Sequence, residues 1–238
     1  MTHELSQLRD DVALANRILE AAGLSNAFGH ASARLPGADT FLLPTRRSPR
    51  FAQASSLLVV DVDGKVVAGD GSPNSELWIH ARIYAARPDI GGVVHAHPEG
   101  CVCLTQIGEP HRVVHHQGGP FHGRVAVFDK IGLIRSRALG DELARTLDGG
   151  NIAAMMRGHG ITTACADVRT ATIAALFLEE SAALQLRMLA AAGGDASRLR
   201  VFTPEEAKRL DDQLGPAIVE RAWDYYAAIA GGRVSTTA

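Results

Sequence analysis

Apolar residues recur every three or four positions over residues 6–22. Leu8, Val12, Ala15, Leu19 and Ala22 share one face and Gly23 supplies a stop, which predicts an amphipathic helix. The following stretches "SNAFGHASARL" and "TFLL" read as loop and short strand. "LLVVDVDGKVVA" reads as a hairpin with Asp63-Gly64 at its turn. Beyond the polar loop "GDGSPN", a helix is predicted from about Ser75 to Ala86, ended by Pro88. "GGVVHAH" is an apolar run that reads as a strand, and Pro98 fits the first position of a helix over "PEGCVCLTQIG". "HRVVHH" and "GRVAVF" read as strands and 138–147 as a helix, while "IAAMM" reads as a buried strand running into "RGHGITTA". A long helix is predicted over 167–192 with Asp167 as its N-cap. The last helix opens on a capping box, Thr203-Pro204-Glu205-Glu206, with a break expected at Gly215-Pro216.

Strands come in hairpin-like pairs rather than in strict strand–helix alternation. The expectation is a mixed or mostly antiparallel sheet flanked by helices. No internal repeat or low-complexity linker divides the chain. Its 238 residues suffice for one large domain or two small ones. The 46% hydrophobic and 21% charged content is that of a soluble globular protein. A net charge of -2 gives no long-range attraction to nucleic acid or to an anionic membrane. The N-terminal stretch carries acids and lacks the apolar core of a signal peptide. No segment approaches the roughly 20 apolar residues that span a bilayer. Three cysteines, an odd number, fit a reduced cytoplasmic compartment. Neither GxGxxG after a strand nor GxxxxGK[ST] occurs, so no nucleotide or organic cofactor is expected.

The chemistry concentrates in histidines. On a strand, His95 and His97 point to the same face with Cα atoms about 7 Å apart. Two imidazoles at that spacing can converge on one ion through bonds of about 2 Å. With ten histidines in the chain, a chance HxH pair is common, so the pair alone decides nothing. His159 in "MMRGHGITT" adds a third imidazole after a second apolar strand, between glycines that allow a tight turn and close approach. Glu76, in the first turn of a helix, adds a carboxylate; the helix dipole alone would also explain an acid there. Three histidines and a carboxylate fit a divalent transition metal with an exchangeable position. His80, four residues after Glu76 on the same helix face, reads as support rather than ligand.

Taken together, "SELWIHARIYAARPDIGGVVHAHP" and the later "RGHGIT" closely resemble the class II aldolase/adducin family over roughly residues 8–195. The resemblance implies a three-layer α/β/α sandwich with a central mixed, mostly antiparallel sheet. It implies one such domain over 1–238, with the C-terminal helix 203–230 packed on it or on a neighbouring subunit. A homotetramer with sites at subunit interfaces is also implied. His95, His97 and His159 would bind the metal, and Glu76 would be the acid/base beside it.

Sugar-phosphate aldolases of this family cradle phosphate with small residues, and here the chain departs from them. His30 stands in "GHASAR", with Ser32 two residues on, and Arg46 and Arg47 in "LPTRRSPR"; Ser75 alone remains of a serine pair before Glu76. Arginine forks suit planar carboxylates, whereas their bulk fills the space of a phosphate. The expected substrate is therefore a small carboxylate. Relatives with this altered loop resemble metal-dependent decarboxylases of hydroxylated aromatic or pyridine dicarboxylates. The expected activity is that of a metal-dependent carbon–carbon lyase, a decarboxylase of such an acid. An aldolase or dehydratase on a sugar-like or keto-acid substrate is the alternative, and a non-catalytic scaffold a more distant one. Zinc or manganese is the expected ion, with cobalt or iron(II) as further candidates. His30, Ser32, Arg46, Arg47, Ser75, His115, His116 and Tyr225 are the candidate substrate contacts.

Overall fold

The structure, a computed structural model, describes residues 3–232. The expected domain span of 1–238 therefore reaches beyond the described residues at both ends. Helix α1 covers His3–Ala21, and the left-handed Gly23 (φ 79°) ends its C-terminal turn. Strands β1 (His30–Arg34), β2 (Thr40–Leu43), β3 (Leu58–Asp61) and β4 (Val66–Ala68) follow, then helix α2 (Leu77–Ala86). Strand β5 (Gly92–Ala96) leads into α3 (Glu99–Gln106), and β6 (Val125–Phe128) into α4 (Arg137–Thr146). The hairpin β7 (Ala153–Met156) and β8 (Gly160–Cys165) precedes the long α5 (Val168–Ala191). Two further helices, α6 (Pro204–Lys208) and α7 (Pro216–Ile229), close the fold; α7 starts at Pro216 as expected, but α6 already ends at Lys208, and a 3-10 turn over Asp211–Leu214 lies between them.

All eight strands form one sheet in the order β4-β3-β2-β1-β5-β8-β7-β6. Only β6 and β7 run parallel. Alternation along the strands sorts side chains onto two faces. Ala31, Ala33, Val94, Ala96 and Ile161 point to one face, covered by α1, α3, α5 and α7. Phe41, Leu43, Val60, Val93 and Ala164 point to the other, covered by α2 and α4. The outcome is the expected three-layer α/β/α sandwich. Trp223 of α7 enters the first of these cores, so the C-terminal helix packs on its own chain.

Several local expectations need correction. The helix expected from Ser75 starts at Leu77, and Glu76 is its N-cap rather than a first-turn residue. Pro98 is likewise the N-cap of α3, not its first helical residue. "HRVVHH" forms no strand. Its backbone turns to α5 and a later segment instead: the Arg112 N–H donates to Gln185 Oε1, and Val113 O accepts from the Phe202 N–H. By contrast "HASAR" and "GITTAC" are central strands although they carry polar residues. Neighbouring strands on both sides supply their hydrogen bonds, and α2 or α5 supplies side-chain partners. The capping box of α6 and the Asp167 cap of α5 form as the sequence predicts.

Candidate metal centre and its cavity

His95 is the fourth residue of β5, and His97 lies just beyond its end. Antiparallel pairing sets His95 opposite Thr162 and Ala96 opposite Ile161 on β8. The turn that enters β8 therefore reaches past the end of β5. Met156 pairs with Gly160, which leaves Arg157, Gly158 and His159 as the turn. Gly158 adopts φ 62°, a conformation that L side chains rarely take. Gly160 lies so close to β5 that a Cβ there would meet Ala96 O at 2.1 Å. These two glycines let His159 come down beside His95 and His97. Glu76 arrives from the opposite direction, at the start of α2.

One potential ligand atom from each of Glu76, His95, His97 and His159 lies within 4.8 Å of all the others. The three rings sit at the corners of a near-equilateral triangle, with centroid separations of 4.8, 4.9 and 5.2 Å. His95 Nδ1 lies 2.9 Å from Ile161 O and so donates to it, which turns an unprotonated Nε2 inward in the neutral ring. His95 Nε2 and His97 Nε2 are 3.0 Å apart. Both ring nitrogens of His159 are buried without a hydrogen-bond partner. Glu76 Oε2 lies 3.9 Å from His95 Nε2, and Oε1 lies 3.7 Å from His159 Nε2.

Electrostatics keep this donor set in its ligating form. Burial lowers the pKa of His95 and of His97, reinforced by the neighbouring imidazoles, so both rings are neutral at pH 7. Burial pushes the Glu76 carboxyl up, but His159, His95 and the Ile134 amide outweigh it and hold the group at about 2. The 3.7 Å to His159 exceeds hydrogen-bonding distance. The short contact is the Ile134 N–H, which donates to Glu76 Oε1 at 2.8 Å. Unsatisfied buried nitrogens, inward lone pairs and an ionised carboxylate are what a divalent transition metal requires, so the residues fit such an ion.

Beneath the centre runs a buried polar chain. Tyr84 Oη lies 2.8 Å from Ser32 Oγ, which lies 2.6 Å from His80 Nδ1. His80 Nε2 in turn lies 2.6 Å from His30 Nδ1, and the His30 ring packs 5.2 Å from His95. His80 is thus a support, as its helix position suggests. Its burial pushes its pKa down to about 3.

A cavity of about 570 Å³ opens over Glu76, His97 and His159. Arg46, Arg47 and Ser75 line it, as proposed for substrate contacts. His30 and Ser32 do not: both are fully buried in the polar chain below. The His115 and His116 rings lie 4.4 Å apart, tilted by 56°, outside the cavity, and Tyr225 lines a separate groove with Gln117 and Glu180. Sequence reasoning passed over Asn74, Phe28, Leu133 and Arg135, which line the same cavity. Asn74 carried a usable signal, standing two residues before Glu76; its Oδ1 accepts from the Glu76 N–H at 3.0 Å. Arg135 carried none, because its loop approaches the site only through the fold.

The profile of the family described as Class II Aldolase and Adducin N-terminal domain matches residues 10–186. The chain belongs to this family. It is 32% identical to a 3,4-dihydroxyphthalate decarboxylase of Arthrobacter keyseri, with 90% of each chain covered. It is 31% identical to the 3,4-dihydroxyphthalate decarboxylase of Terrabacter sp. (strain DBF63), over 94% of this chain and 97% of that one. Among solved structures, an aldolase II superfamily protein from Pseudomonas syringae superposes with a TM-score of 0.83 at 24% identity, covering 97% of this chain and 94% of the other. That likeness concerns the fold. Among the described residues no helix is long and apolar enough to cross a membrane.

Proposed function

We propose that this protein is a divalent-metal-dependent decarboxylase of a hydroxylated aromatic or heteroaromatic acid. One observation carries the reading: the carboxyl group of Glu76 stands beside three converging imidazoles in a cavity lined by Arg46, Arg47 and Arg135, none of which has a carboxylate partner among the described residues. The two dihydroxyphthalate decarboxylases, similar over nearly the whole chain, support the same reading.

His95, His97 and His159 would hold the ion, zinc or manganese. When bound, it supplies positive charge beside the ring oxygen next to the breaking bond, where electron density accumulates. Arg46 and Arg47 draw the anionic substrate in and orient it. Glu76 takes the ring hydroxyl proton as substrate binds. Glu76 then returns that proton to the ring carbon that bears the departing carboxylate, and as carbon dioxide leaves the electrons of the carbon–carboxylate bond restore the aromatic ring and its oxyanion. Ser75 and Asn74 line the path beside it. The buried chain from Tyr84 to His30 keeps His95 in place from below.

The test is carbon dioxide release by the metal-loaded protein from a panel of hydroxylated aromatic mono- and di-acids. Release from at least one di-acid is expected. No release, together with aldol cleavage of a sugar-like or keto-acid substrate, would instead support an aldolase. Glu76→Gln should keep its metal but lose roughly 10²–10⁴-fold in kcat. His97→Ala should lose the metal itself. Equal metal content and equal activity in the two variants would contradict this division of labour.

We further propose that residues 1–238 form one domain and that four copies assemble with sites at their interfaces. His115, His116 and Tyr225 would then serve a neighbouring cavity, since within one chain none of them lines its own.

A further inference from the structure

The loop between β6 and α4 enters the site in an ordered way. Ile134 is buried at 1% exposure in the core between sheet, α2 and α4, and its N–H holds Glu76. With Ile134 anchored inward, Leu133 and Arg135 on either side turn to the cavity and line it. The Arg135 N–H donates to Leu133 O at 2.9 Å, which tightens the turn around that anchor. One short segment therefore both fixes the carboxylate of Glu76 and presents a cation to the same cavity.

Arg135 is also chemically unspent. Arg137 is paired with Asp63 at 2.7 Å, and Arg82 with Asp141 and Arg157 with Asp129, both at 2.5 Å, whereas Arg46 and Arg47 of the same cavity form no ion pair among the described residues. Among the described residues, Arg135 takes part in no ion pair and its guanidinium in no hydrogen bond. Arg47, by comparison, lies over the Phe51 ring at 5.6 Å. The remaining lining of the cavity includes apolar Ala27, Phe28 and Leu133, and Phe28 is 70% exposed.

We propose that Arg135 grips the carboxylate that stays on the ring, with Leu133 and Phe28 against the ring itself, so that the cavity selects planar aromatic di-acids over mono-acids. The proposal rests on the decarboxylase reading and adds the specificity residue. The retained group is the one an arginine fork suits. A guanidinium on the departing carboxylate would stabilise the ground state more than the transition state, because charge leaves that group as the bond breaks. A guanidinium on the retained carboxylate carries no such penalty. Through Ile134 its position is tied to Glu76, so gripping the substrate there sets the distance from ring to proton donor.

The experiment measures binding of phthalate and of benzoate to the metal-loaded protein by calorimetry, for the unmodified chain, Arg135→Met and Arg135→Lys. Arg135→Met should weaken phthalate by at least about tenfold, the loss of one charge-assisted hydrogen-bonded contact, and leave benzoate within about twofold. Arg135→Lys should recover part of the phthalate affinity, and it decides the matter if the methionine variant fails to fold. Equal losses for both ligands, an unchanged phthalate affinity, or no phthalate binding by the unmodified protein would overturn the proposal. Selective phthalate binding through Arg135 without carbon dioxide release from any hydroxylated acid would uphold this contact and sink the proposed reaction instead.

Discussion

At the scale of single residues, the site is governed by which groups stay neutral and which stay charged. Glu76 remains a carboxylate although buried, because the Ile134 amide and the imidazoles around it favour the ion. His80 shows the opposite case. Its ring is fully buried and its pKa falls from 6.5 to about 3. Between those values the unfolded chain binds a proton that the folded chain does not. The contribution of a neutral His80 is therefore complete above about pH 6.5 and is lost as the pH falls toward 3. Glu76, depressed from 4.5 to about 2, adds a further loss only below about pH 4.5. The urea midpoint of chelator-treated protein should fall as the pH is lowered from about 7 to about 4.5, with His80 costing on the order of 2–3 kcal/mol over that window. His80→Gln should show a shallower dependence. A variant with the same slope as the unmodified protein would refute a neutral buried ring.

At the scale of elements, the centre depends on how closely β8 approaches β5. Any side chain on Gly160 would meet Ala96 O at 2.1 Å, so the strands would have to separate at the point that delivers His159. Gly160→Ala should cost roughly 1–3 kcal/mol, as overpacking does. It should also lower metal affinity, read as the ion retained after dialysis. A variant of lower Tm with full metal content would mean that the turn holds His159 independently of strand spacing. The same hairpin shows where sequence reading ends. "IAAMM" announced its strand through an apolar run, whereas "GITTAC" did not, because Thr162 and Thr163 obscure the pattern. Both threonines are buried, Thr163 bonding to Ala171 O and Thr162 to the Met156 sulfur. Their partners lie in other elements or across the hairpin, so local pattern could not show that these positions are interior.

At the scale of the whole molecule, α7 belongs to the same core as α1 and α5, through Val219, Trp223 and Ala227. That packing leaves Tyr225 on the outside at 63% exposure, in a groove apart from the chain's own cavity. Assembly is the way we propose to reconcile that position with a role at the site. Sedimentation should give a species near four times the 25.2 kDa chain mass. Mixing Tyr225→Phe with Glu76→Gln protein under subunit exchange should restore part of the activity that each lacks. A monomer with full activity would rule the arrangement out.

The sequence by itself singled out the four residues that the structure brings within 4.8 Å of one another. His95 and His97 are local to one strand and Glu76 to one helix start, and the glycines around His159 mark a tight turn. Order and spacing also carried the family resemblance, and arginines in place of small residues pointed to a carboxylate. Only the tertiary structure decided which polar residues face the cavity and which lie beneath it. His30 and Ser32 stand close to the site, but strand alternation under α2 turns them into a buried chain with His80. Arg135 is distant from every motif, and it reaches the site because Ile134 is drawn into the core beside Glu76. The physical reason is one of range. Periodicity, caps and motif spacing act within a few residues, whereas the position of a side chain relative to a cavity is set by what packs behind it.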